Sequence, residues 1–181
     1  MLLPALGEDA ESIEIPLPQE KARDYVKRVT LAKASLALAR WRKSGLPWAP
    51  ILCADTTVSL PNSENGEILG KPIDADDARR ILEMLSGKTH EVLTAVALIN
   101  NPEEVPNCIV QISEVEFANL STEQINTYIA SQEPFGKAGA YGIQGSAGAF
   151  ISKINGSYSG IMGLPLYETA QLLERARITR I

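Results

Sequence analysis

Apolar residues at Tyr25, Val26, Val29, Ala32 and Leu36 recur at helical spacing, and they predict one amphipathic helix from Gln19 to about Ala39, ended by the segment GLPWAP. Lys33 falls inside this stripe, four residues after Val29 and three before Leu36. Two readings of it stay open: a lysine that snorkels outward along its own stem, or one aimed into a cleft. The next segment, PILCADTTVSL, is a short apolar run that stops at Asp55 and resumes with β-branched residues, as a buried strand interrupted by a carboxylate would. PNSENGEI then reads as a hairpin loop with Asn65-Gly66 in its turn.

Asp74 is placed to cap a helix through Met84, with Ala78, Ile81, Leu82 and Leu85 on its inner face and Gly87 as its stop. KTHEVLTAVALIN and CIVQISEVEFANL read as two long strands joined by NPEEVPN, an antiparallel pair. Ser121 and Gln124 have the spacing of a capping box for a short helix ending near Ser131. From Lys137 to Pro165 the chain is dense in glycine and shows no helical pattern, and LPLYETAQLLERAR closes it with an amphipathic helix. So much glycine, the residue that costs most to order, points to backbone passing close to a ligand or to another strand.

The chain has 181 residues with 45% hydrophobic content, enough for one domain, residues 1–181, with a full core. Its net charge of −5 is spread without a basic stripe, which argues against a nucleic-acid polymer as partner. No apolar run is long enough for a bilayer and MLLPALGEDAES is unlike a signal peptide, so a cytoplasmic protein is expected. Cys53 and Cys108 stand apart from any metal-ligand spacing and read as buried thiols.

Two segments imitate a phosphate loop. GEILGKP has one residue too few between its glycines and a proline where Ser or Thr is needed; LEMLSGKT has Leu82 in place of the first glycine. GAYGIQG lacks the spacing of a dinucleotide turn. What remains is a set of polar residues where core logic would not put them: Lys33, Asp55, Lys71, Lys137 and Gln144. Singly, each has a plain reading, since an aspartate beside threonine can be a satisfied structural carboxylate and a Lys-Pro pair a solvated turn. Together they describe a cleft for polyphosphate, with lysines for the anionic oxygens and a carboxylate to hold a divalent cation or activate water. His90, the only histidine, alternates with Val92 in a strand and reads as a hydrogen-bonded structural residue.

The segments PLPQEKARDYVKRVTLAKA, ILCADTTV, EILGKPIDADDARRILEMLSGKTHEVLTAVAL and EPFGKAGAYGIQGSAGAFISKINGSYSGIMGLPLYET together resemble the Maf family, historically called septum formation inhibitors. The resemblance runs from about Pro16 to the last helix. It implies an α/β fold with a mixed sheet and flanking helices, shared with inosine triphosphatases. It also implies hydrolysis of nucleoside triphosphates between the α and β phosphates, a divalent metal such as Mg2+ or Mn2+, and a homodimer. By the same resemblance Asp55 is the proton acceptor, Lys33 and Lys71 bind phosphate, and Thr56 and Gln144 set base preference as in the dTTP/UTP branch. Glu14 matches the family's metal-side acid, beside Asp55, and Lys137 joins the substrate-binding lysines. The family's Ser-x-Ser-Pro-Arg-Arg turn has no counterpart in this chain, which leads us to expect a longer gene product encoding a strand and a Ser/Arg-rich turn upstream. Two classes of function follow: a dTTP/UTP pyrophosphatase, or a nucleotide-binding protein without catalysis that acts through protein contacts in cell division. The presence of Asp55, Lys33, Lys71 and Gln144 favours the enzyme, because a binding remnant has no use for a proton acceptor.

Overall fold

The computed structural model describes residues 12–61 and 67–178. A short 3-10 turn, Ser12–Glu14, leads into α1 (Ala22–Ser44), then β1 (Ile51–Leu60), β2 (Glu67–Leu69), α2 (Ala75–Leu85), β3 (Thr89–Ile99), β4 (Asn107–Phe117), α3 (Thr122–Ala130), β5 (Ile151–Asn155), α4 (Tyr158–Ile161) and α5 (Leu166–Arg175). The expected turn at Asn65-Gly66 and the N-terminal residues 1–11 lie outside the described residues. The strands form one sheet in the order β2-β1-β3-β4-β5, and every pairing among the described residues is antiparallel. This is the α/β fold with flanking helices that the resemblance implies, but among the described residues the sheet is antiparallel rather than mixed.

The sheet's pleat sorts the core into two sides, because successive side chains of a strand point to opposite faces. On one face, Leu93 and Ala95 pack against Tyr25, Val26 and Val29 of α1, and Ala97 and Ile99 against Ala34 and Ala37. On the other, Val58 and Val92 join α2, α3 and the glycine-rich segment, while Val96 and Leu98 meet Leu172 of α5. β3 is central and is buried on both faces from Val92 to Ile99. Among the described residues no helix is long and apolar enough to cross a membrane.

Helix ends follow their signals. Asp74 accepts from the backbone N–H of Asp77, Ser121 and Gln124 form the reciprocal capping box, and Gly87 takes a positive φ of 67° just past α2. Three details differ from the sequence reading. α1 runs to Ser44 rather than Ala39, because Trp41 on its last turn packs edge to face on Trp48 and the left-handed stop is Gly45. Its buried row passes through Ala34 and Ala37 instead of Ala32 and Leu36. Cys53 and Cys108 are only partly buried; each lies opposite Ala97 from a neighbouring strand, on the face covered by α1.

The glycine-rich segment has more regular structure than its pattern predicts. It makes 3-10 turns at Ala138–Ala140 and Ser146–Phe150, the edge strand β5, and α4. Tertiary contacts supply what periodicity lacks: Gly139 (φ 69°) lies so close to β1 that an added Cβ would meet Val58 at 2.8 Å, and its N–H bonds Gly70 at 3.0 Å. A chain of edge-to-face rings, Tyr128, Phe150, Phe117, Tyr141 and His90, lies beneath it. His90 is fully buried with Nε2 2.8 Å from the Tyr141 hydroxyl, and burial lowers its pKa to about 4.

Candidate functional site

Four charged residues from four parts of the chain meet at the α1 side of β1. Lys33, one turn after Val29 in the row that faces the sheet, donates to Asp55 Oδ1 and pairs with Glu14 Oε1 at 2.7 Å. The other oxygen of Glu14 accepts from Lys71 at 2.7 Å. The order is therefore Asp55, Lys33, Glu14, Lys71, alternating in sign. Lys33 is aimed inward, so the snorkelling reading falls.

Depth sets the electrostatics. Burial raises the Asp55 pKa, and the hydrogen bond and charge of Lys33 only partly oppose it. For Lys33 burial acts downward, yet two carboxylate partners outweigh it and the ammonium is held charged. Glu14 is shallower; burial pushes its pKa up, but the two lysines win and lower it. Asp55 is thus a carboxylate moved toward neutrality, and its neighbours are firmly ionised. That is the poise of a group asked to accept a proton.

Glu14 is held by groups that sequence reasoning missed. Tyr25 donates through its hydroxyl to the Glu14 carbonyl at 2.8 Å. Arg28 donates to the carbonyls of Ile13 and Ile15, on either side of Glu14, at 3.0 Å each, and makes a two-pronged ion pair with Glu20. In the sequence Tyr25 reads as one more apolar position of the helix, and nothing in the pattern singles out Arg28.

On the opposite face of β1 lies a cavity of about 220 Å³, lined by Thr56, Val58, Lys71, Lys137, Tyr141, Gly142, Gln144 and Met162, among others. Lys71 belongs to both places, and so joins the charged array to the cavity. Thr56 is 2.8 Å from Thr94, its partner across β3. Gln144 is exposed at the rim. Lys137 donates to the Glu133 carbonyl, and its stem lies 3.1 Å from where a Cβ on Gly142 would be, so glycine there leaves room for the lysine. The Glu133 carboxylate holds the following turn by accepting from Ser146 N and Oγ at 3.0 and 2.6 Å. The structure thus brings Lys33, Asp55, Glu14 and Lys71 into one array, and places Thr56, Lys137 and Gln144 around the adjoining cavity. A larger cavity of about 350 Å³, near Asn100 and Arg175, contains none of them.

The donor set suits a divalent ion of the kind that takes one or two carboxylates and completes its shell with substrate phosphate and water. Asp55 and Glu14 supply two carboxylates with one ammonium between them, and no group of three or more His, Cys, Asp or Glu residues forms a cage among the described residues.

The family model described as Maf-like protein matches residues 4–176. A dTTP/UTP pyrophosphatase of Burkholderia orbicola (strain AU 1054) is 54% identical over 178 residues, which cover 98% of this chain and 83% of that protein. Proteins of the same name from Albidiferax ferrireducens and Ralstonia nicotianae are 55% and 54% identical, over 96% and 99% of this chain and 84% of each relative.

Proposed function

This chain belongs to the Maf-like family, and on that premise we propose that it is a nucleoside triphosphate pyrophosphatase hydrolysing dTTP and UTP to the monophosphate and pyrophosphate. The observation that carries the reading is the array Asp55, Lys33, Glu14, Lys71 set against a cavity rimmed by Gln144.

Ionised Asp55 accepts the proton of the attacking water. The water oxygen bonds to phosphorus as the α–β phosphoanhydride bond breaks, and pyrophosphate leaves. Lys33, held charged, offsets the charge that grows on the phosphate oxygens, and Lys71 and Lys137 bind the rest of the triphosphate. Asp55 and Glu14 would hold a divalent cation, which when bound supplies further charge neutralisation to the phosphates. Thr56 and Gln144 face the base. A cytoplasmic setting follows from the substrates, which are intracellular nucleotides. A homodimer is supported by the exposed apolar side chains of Tyr158, Met162, Leu166 and Tyr167, which lie close together in sequence and of which Met162 also lines the cavity.

Pyrophosphate release should be measured across the common nucleoside triphosphates with Mg2+ or Mn2+ present. Release from dTTP and UTP is expected. Tight binding of both without release would return the nucleotide-binding reading.

A further inference from the structure

Beneath the cavity a hydroxyl relay crosses from β1 to β3 and on to α4. Thr94, fully buried, donates from Oγ1 to the Gly160 carbonyl at 2.7 Å, and the same carbonyl accepts from Gly163 N–H at 2.9 Å. A carbonyl can only accept and a threonine hydroxyl has one proton, so the proton of Thr94 is committed to Gly160. The 2.8 Å contact between Thr94 and Thr56 then has one possible sense: Thr56 donates and Thr94 accepts. Thr56 has no proton left for the cavity. It faces that space with lone pairs only, and Gly163, whose absent Cβ would lie 3.7 Å from Thr56 Oγ1, leaves the hydroxyl open.

We propose that Thr94 is a specificity-determining positioning residue, which by this relay turns Thr56 into a fixed acceptor for the N3–H of uracil and thymine. The inference rests on the reading of the cavity as a pyrimidine-nucleotide site. Cytosine presents a bare acceptor at N3, so two acceptors would face each other without a proton between them. A freely turning hydroxyl would remove that penalty by donating to cytosine instead. Gln144 cannot supply the sign by itself. Its side chain is exposed and makes no hydrogen bond to another described residue, so its amide can turn over to suit either base.

The test compares UMP and CMP binding by calorimetry, and UTP and CTP turnover by pyrophosphate release, in the wild-type chain and its variants. Thr94→Val should lower the uracil-over-cytosine preference by about tenfold or more, chiefly by admitting cytosine, since one unfavourable polar contact is worth roughly that factor. Thr94→Ser, which keeps the relay, should stay within about twofold of wild type. In a Thr56→Val background, Thr94→Val should leave the preference unchanged, because there is no hydroxyl left to turn. A structural role would instead weaken both nucleotides alike in both backgrounds, and that result overturns the proposal. If Thr94→Val does not fold, Thr94→Ala carries the same expectation. Wild-type binding that does not distinguish UMP from CMP also overturns it. Selective UMP binding without pyrophosphate release would leave the relay standing and refute the enzymatic reading alone.

Discussion

Lys33 and Asp55, separated by 22 positions in sequence, meet across the interface of α1 and β1, and the aspartate is the deeper of the two, with 15% of its side chain exposed against 28%. At neutral pH this costs the fold something at Asp55. A carboxylate whose folded pKa is raised adds stability at low pH and loses it as pH rises through that pKa. Asp55→Asn should therefore fold with an undiminished melting temperature while turnover falls at least about a hundredfold. A variant that melts early and still hydrolyses dTTP would identify Asp55 as a structural carboxylate.

The two lysines of the array should respond differently. Lys71 is half exposed and holds one oxygen of Glu14, so Lys71→Ala is expected to raise KM for triphosphate with little change in melting temperature. Lys33→Ala removes the group that holds the Asp55 pKa down. Asp55 would then ionise at higher pH still, and the acid limb of the pH–rate profile should move upward relative to wild type. A limb that stays in place, with turnover merely scaled down, would show that a different group governs it.

On the proposed reading, Gln144 and the hydroxyl of Thr56 share the base. Gln144→Ala should lower kcat/KM for UTP and dTTP by about tenfold, the worth of a good hydrogen bond to substrate. The thymine methyl is worth only roughly 1–3 kcal/mol, so the wild-type chain should accept both nucleotides. Turnover of CTP equal to that of UTP would remove both residues from base reading.

His90 gives a signature of stability away from the site. Burial keeps its ring neutral down to about pH 4, whereas in the unfolded chain it takes up a proton near 6.5. Stability contributed by the neutral ring is complete above 6.5 and is lost as pH falls toward 4, by about 3 kcal/mol in all. His90→Gln can still bond the Tyr141 hydroxyl but has no proton to gain, so its melting temperature should depend less on pH across this window. Parallel slopes for the two proteins would place the acid sensitivity elsewhere.

Most of the frame was legible because it is periodic or capped: α2 with its Asp74 cap, α3 with its capping box, and the β3 and β4 pair all stand where the spacing puts them. The glycine-rich segment was not, since its turns are fixed by contacts with Val58, Gly70 and the aromatic rings and not by any local repeat. In the site, Lys33 and Asp55 were visible as polar residues that break an apolar pattern. Thr94 was invisible for the opposite reason. A threonine in a strand is ordinary, and its meaning depends on a carbonyl 66 residues away.

The alternation of β1, with Asp55 facing Lys33 and Thr56 facing Thr94, also says which genetic changes this protein can tolerate. Either residue may be exchanged and the other keeps its neighbours. If the strand slid to absorb it, a one-codon deletion between positions 51 and 54 would present Thr56 to the lysine in place of the carboxylate, and a one-codon insertion would present Ala54 there and turn Asp55 onto the buried relay. Drift should thus proceed in this part of β1 by replacement and not by change of length.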